Sequence, residues 1–147
     1  MDEPLGRQLA MTGRVVQDRF DRHLGRHGSS LAVWVVLRSA AHEEGLSQRE
    51  LARRVRVEAP TLVRHLDRME RDGLVVRRRD TRDRRVVRVC LTDTGRARHA
   101  ELRAVAADVD GQLRSLLTAD EARTLERLLQ RIRDRWHPDV GNGNEPA

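Results

Sequence analysis

The hydrophobic period of this chain changes near its middle, and few folds accommodate that change. Ser47 and Glu50 form a capping box, in which hydroxyl and carboxylate satisfy orphan amides at a helix start. The short helix QRELARRV follows, then VEAP, where Pro60 is tolerable only in a first helical turn because it lacks an N–H. A further helix is therefore expected from about Ala59 to Asp72, stopping at Gly73. Leu62, Leu66 and Met69 make its buried stripe, and Thr61, Arg64, His65 and Arg68 fall on the opposite side. From Leu74 the period is that of a strand. LVVRRR and VVRVCL are β-branched runs flanking the polar connection Asp80–Arg85, which predicts a hairpin with an arginine-rich tip.

Helices flank this middle. Leu5, Leu9, Val16, Phe20 and Leu24 recur at helical spacing over residues 5–24, and Gly25 and Gly28 then break the pattern. A second helix starts at Ser29 or Ser30 and runs to Gly45, apolar on most sides through Val36 and so central to the core. Thr92 caps a helix that continues to about Leu116 through Leu102, Val105, Val109 and Leu113. Thr118 and Glu121 make a second capping box, and the last helix carries Ala122, Leu125, Leu129, Ile132 and Trp136 on one face. Pro138 ends it, and residues 139–147 read as a flexible tail. With 147 residues the prior is one domain, here residues 1–138. No apolar run approaches eighteen residues and the start MDEPLGRQ lacks an apolar core, so neither a membrane span nor a secretory signal is expected. The single cysteine, Cys90, fits a reducing cytoplasm.

The charge is placed unevenly. From Arg49 to Arg98 sixteen arginines face eight acids, a local +8 within a net +6. A basic middle between near-neutral flanks points to an anionic partner, nucleic acid first among them. Helix, short turn, helix and basic hairpin form a winged helix-turn-helix, so the chain is expected to be mainly α with a small β-hairpin wing. A helix about 10–12 Å across fits the major groove, where base edges carry a distinguishable code. Thr61, Arg64, His65 and Arg68 offer groups to read it, and the helix start at Pro60 presents backbone amides to a phosphate. Arg82, Arg84 and Arg85 at the hairpin tip suit the backbone and the minor groove. Asp83 among them either orients a neighbouring guanidinium or simply favours the turn.

The stretch LSQRELARRVRVEAPTLVRHLDRMERDGLVVRRRDTRDRRVVRVCLTDTGR resembles the MarR (multiple antibiotic resistance regulator) family of bacterial transcription factors. Its strongest signature is Asp83-Arg84-Arg85, followed six residues later by Leu91-Thr92 and then Gly95, with Gly73-Leu74-Val75 closing the helix-turn-helix. The resemblance implies a cytoplasmic homodimeric regulator that binds double-stranded DNA at a pseudo-palindromic operator, most often as a repressor. It puts the winged core at about 30–98, with Ala59–Asp72 in the major groove and Arg85 in the minor groove beside its companion Asp83. Dimerisation helices correspond to about 5–24 and 99–137, carrying Leu5, Leu9, Leu125, Leu129 and Ile132. Small anionic or phenolic effectors of the family bind between the dimerisation and DNA-binding parts. Glu58 stands where the family often has a small hydroxyl residue capping the recognition helix, and it is a poorer cap by geometry. The stripe on the last helix supports a dimer independently, since such a stripe must be buried either within its own chain or against a second one.

Other readings compete. Six histidines invite a metal-responsive regulator, but His23 and His27 flank Gly25, which is expected to end the first helix, and His42, His99 and His137 are isolated. Cys90 as a redox switch competes with a buried, inert thiol in a strand. Trp34 and Trp136 are expected to anchor the core rather than line an effector pocket. There is no glycine-rich phosphate loop, nucleophile elbow or HExxH pattern, so catalysis, a cofactor and a metal site are not expected. A charge-driven binder of nucleic acid, indifferent to sequence, is the remaining alternative.

Overall fold

The computed structural model describes residues 3–136 and divides the chain into two compact units, the first ending at Val109 and the second beginning at Asp110. In the first, α1 (Leu5–Arg26) leads to α2 (Leu31–His42), with Ser30 as the N-cap accepting from the Val33 amide at 3.3 Å. Strand β1 (Leu46–Ser47) passes directly into α3 (Gln48–Val55), whose capping box forms as the sequence predicts. The Ser47 hydroxyl accepts from the Glu50 amide at 3.1 Å and the Glu50 carboxylate accepts from the Ser47 amide at 2.8 Å. Helix α4 (Ala59–Arg71) follows, then β2 (Val75–Arg79), β3 (Val87–Leu91) and α5 (Asp93–Arg114).

The sheet is antiparallel in the order β1-β3-β2, with Val75 opposite Leu91 and Arg79 opposite Val87. Its first strand went unread in the sequence. Two residues are too few to display alternation, and Leu46 and Ser47 owe their pairing to Val89 and Arg88 on a strand forty residues away.

The core lies beneath this sheet. Leu37, Leu51, Leu62, Leu66 and Met69 are enclosed by Leu24 of α1, Val75 and Val89 of the hairpin and Leu102 of α5. The predicted stripe of α4 is thus buried in full. Gly95 explains part of the pattern around residues 91–95, because a Cβ there would lie 1.9 Å from the Leu74 carbonyl oxygen. Thr92 caps α5 by accepting from the Gly95 amide at 3.0 Å, while its own amide donates to the Leu74 oxygen at 3.1 Å. Cap and glycine together let α5 start hard against the end of the helix-turn-helix.

Several expectations need correction. Gly25 does not end the first helix, which continues through it to Arg26, and the chain turns at Gly28 with a φ of +69°. An isolated glycine costs a helix only about 1 kcal/mol, less than twenty-two residues of context supply. Helix α2 ends at His42 rather than Gly45, since residues 43–45 are drawn into side-chain contacts described below. Trp34 is buried as expected, but Trp136 is 78% exposed and does not anchor a core. It follows α6 (Ala119–Arg135), a helix with no fully buried residue.

The second unit opens within α5 and continues into α6 through the predicted capping box of Thr118 and Glu121. Arg114 joins its two helices, donating to Asp110 at 2.7 Å and Glu126 at 2.6 Å. Leu116, Leu125 and Leu128 are exposed. In the first unit Leu5, Met11 and Val15 of α1 are exposed too. His137, Pro138 and the expected tail over 139–147 lie outside the described residues.

Candidate nucleic-acid interface

Helix α4 buries Leu62, Leu66 and Met69 and thereby turns Arg64 and Arg68 outward, both exposed and without a carboxylate partner among the described residues. Its start is sparer than expected. Glu58 is the N-cap but makes no side-chain cap bond, Pro60 has no amide proton, and the Thr61 and Leu62 amides both donate to the Glu58 carbonyl oxygen at 3.0 Å. Few amides are therefore left for a phosphate. Thr61 is half-buried, and His65 stands apart from the arginines, lining a 310 Å³ cavity with Val36, Val55 and Val57.

The hairpin tip is organised by two carboxylates. Asp80 Oδ1 accepts from the Arg82 amide at 2.7 Å and the Asp83 amide at 3.0 Å, and its Oδ2 accepts from Arg88 Nε at 2.5 Å. These bonds, that of Arg88 foremost, hold the Asp80 pKa down at about 2. Asp83 in turn grips Arg85. Its Oδ1 accepts from the Arg85 amide at 3.0 Å and from Nε at 3.1 Å, and its Oδ2 accepts from Nη2 at 3.2 Å. Arg85 is 91% exposed, so its guanidinium is held by one carboxylate yet open to solvent. Both the orienting and the turn-forming readings of Asp83 have a counterpart here, since it binds a guanidinium and a backbone amide. The guanidinium groups of Arg82 and Arg84 have no partner among the described residues, and both residues are exposed.

Sequence reasoning missed Arg77. From β2 it reaches back to α4, donating to Glu70 at 3.1 Å and 2.7 Å and to Asp67 at 2.5 Å, while its amide donates to Glu70 at 3.1 Å. These contacts raise the Arg77 pKa, the Glu70 bond being the largest cause, and lower that of Glu70. Helix α4 and the hairpin are thus fastened to one another. It also missed Arg88, which besides Asp80 donates to the Gly45 carbonyl at 2.9 Å.

A second cavity, about 580 Å³, opens between α2, the end of α3 and α5. Trp34 stacks on His99 there, with ring centroids 5.4 Å apart and planes 8° from parallel. Arg38, Ser39, His42, Arg54 and Arg103 complete the polar lining. Arg54 is bonded to the Glu43 carboxylate, whereas Arg38 and Arg103 have no carboxylate partner among the described residues. Burial, then repulsion from Arg103 and Arg38, depresses the His99 pKa. Trp34 therefore serves both as core residue and as cavity wall. Among the described residues no three His, Cys, Asp or Glu are grouped to hold a metal, and no helix is long and apolar enough to cross a membrane. Cys90 is a free, half-buried thiol on β3.

The fold and this arginine-rich face define a winged helix-turn-helix protein. The MarR family pattern matches residues 30–87. A curated relative, the HTH-type transcriptional regulator TtmR of Methylorubrum extorquens, is 35% identical over 124 residues, covering 84% of this chain. The chain spans 63% of that relative's length. Among solved structures, a cysteine-to-serine mutant of E. coli MarR complexed with operator DNA is 32% identical with a TM-score of 0.82, over 88% of this chain and 93% of that one. The Mycobacterium tuberculosis MarR family protein Rv2887, in complex with salicylic acid, is 31% identical with a TM-score of 0.71, over 89% and 97%. The chain belongs to the MarR family of winged-helix transcriptional regulators.

Proposed function

We propose that the protein is a homodimeric, ligand-responsive repressor that reads a pseudo-palindromic DNA operator. The carrying observation is the pairing of two arginines on α4, Arg64 and Arg68, that have no carboxylate partner among the described residues, with a wing arginine, Arg85, aimed by Asp83. In this reading α4 enters the major groove, where Arg64 bonds guanine and Thr61 and Arg68 contact base edge or phosphate. Arg85 enters the minor groove, and Arg82 and Arg84 neutralise phosphate. Pro60 starts the recognition helix, and His65 acts from its inner edge. The relative crystallised with operator DNA supports this placement by similarity over most of both chains.

Two recognition helices about 34 Å apart are needed to read an inverted repeat. The exposed apolar residues of α1 and of the second unit, Leu5 and Leu125 among them with Leu9, Leu129 and Ile132 half-buried beside them, supply surface for the second protomer. For the effector, the 580 Å³ cavity fits a small aromatic acid: Trp34 and His99 give a planar wall, and Arg38 and Arg103 give positive charge with no carboxylate partner among the described residues. Salicylate, bound by the mycobacterial relative, is the natural probe.

Selection of bound sequences from a random duplex library at about physiological salt tests the reading. A two-fold symmetric motif with half-sites about one turn apart is expected. Binding with no recovered motif would instead favour charge-driven, sequence-independent association.

A further inference from the structure

Residues 43–45, between α2 and β1, are tied at three successive positions to three different elements. Glu43 is bonded to Arg54 of α3, Glu44 accepts from Arg96 of α5 at 2.7 Å, and the Gly45 carbonyl accepts from Arg88 of β3 at 2.9 Å. One end of this segment borders the effector cavity, because Arg54 and His42 line it. The other end reaches the wing, because Arg88 also holds Asp80, and Asp80 holds the amides of Arg82 and Asp83. Two sets of charge-assisted hydrogen bonds, joined through the backbone of residues 43–45, therefore link the cavity wall to the hairpin tip.

We propose that Glu43 is a resident carboxylate that an incoming ligand anion displaces from Arg54, and that the freed segment loosens the wing through Arg88 and Asp80. The proposal rests on the cavity being the effector site and adds how its occupancy reaches DNA. Displacement is physically cheap. Arg54 and Glu43 are both exposed, at 40% and 55%, and exposed ion pairs are weak. A ligand carboxylate that also meets Arg38 and Arg103, neither of which has a carboxylate partner among the described residues, has the advantage over a lone side-chain carboxylate. The wing is the right place to be released, since its tip is otherwise closed by two backbone bonds, Asp80 to Val86 and Val86 to Asp83, and by Arg79 donating to the Arg84 carbonyl at 3.3 Å. Asp80 carries two tip amides and Asp83 carries Arg85. Coupling of this kind requires that ligand and Glu43 compete for the same cation, which makes it measurable.

The test is a double-mutant cycle on operator affinity in the full chain, with the duplex recovered by selection. Glu43→Gln alone is expected to weaken operator binding about threefold to fivefold without ligand. In an Arg88→Ala background, where the relay is already cut, it is expected to change affinity less than about twofold. Equal effects in both backgrounds would overturn the relay. Salicylate titrated calorimetrically into both proteins supplies the second arm, with binding to Glu43→Gln expected about fivefold tighter because the competitor is gone. Equal affinities for wild type and Glu43→Gln would overturn the displacement. Binding to neither protein would overturn the assignment of the cavity itself, and the displacement with it, whereas the relay stands or falls on the cycle. Amide exchange at Arg82 and Asp83, faster with salicylate in wild type but not in Arg88→Ala, separates release of the wing from general destabilisation.

Discussion

Helix α4 and the hairpin tip present the same side chain in opposite ways. On α4, Arg64 and Arg68 stand free of any described carboxylate, while on the hairpin Arg85 and Arg88 are gripped by Asp83 and Asp80. The difference follows from the backbone beneath. A helix fixed by Leu62, Leu66 and Met69 in the core already sets the direction of its side chains, so its arginines need no second anchor. A seven-residue loop beyond β2 has no core, and only internal hydrogen bonds can limit its conformations before DNA arrives. Arg77 joins the two regions, so that a helix placed by packing and a hairpin whose tip is placed by carboxylates are fastened together.

The comparison breaks most visibly at Arg64. Arg64→Ala is expected to lower operator affinity by about 1–3 kcal/mol and to blur sequence preference, read by binding to the selected duplex and to single-base variants. On the wing, Asp83→Asn tests aim rather than charge. It removes the charge-assisted grip on Arg85 at nearly constant size, and a loss of about 1 kcal/mol is expected in wild type and close to none once Arg85 is alanine. An equal loss in both backgrounds would mean that Asp83 serves the turn alone. Arg82→Ala should weaken all duplexes alike and reduce the salt slope by about one.

The smallest effect expected is a pH dependence. Burial and two arginines place the folded pKa of His99 below its unfolded value, so its contribution to stability is full above about pH 6.5 and is lost as pH falls through the folded value. A bound carboxylate would offset Arg103 and Arg38 and raise that pKa, so that the His99 imidazole takes up a proton on binding. Salicylate affinity should accordingly rise as pH drops below about 6.5, and His99→Gln should flatten the profile.

Much of this was legible in the chain because local chemistry decided it. Ser47 with Glu50, Thr118 with Glu121, Pro60 and Thr92 each fix a boundary within four residues of themselves, and the helices start where those residues put them. What escaped depended on distant partners. Strand β1 exists because Leu46 and Ser47 meet Val89 and Arg88, and Arg77 matters because folding brings Asp67 and Glu70 back to it. Trp136 failed as a core residue for a related reason, since an apolar stripe states that a surface is to be covered and leaves the covering surface unnamed. The arginine-rich tip was visible as composition. The pairing of Asp83 with Arg85 was expected too, but the grip of Asp80 on Arg88 was not, because these two residues, eight apart in sequence, meet only once the loop is closed.

The most direct measurement is the affinity of the wild-type protein for its selected inverted repeat against a scrambled duplex of equal length and composition, across a range of salt. The account predicts a preference of about a thousandfold or more near physiological salt, with both affinities falling as salt rises and the preference surviving. Equal affinities with one shared, steep salt dependence would contradict it, and the arginines of α4 and the wing would then be no more than a charged face.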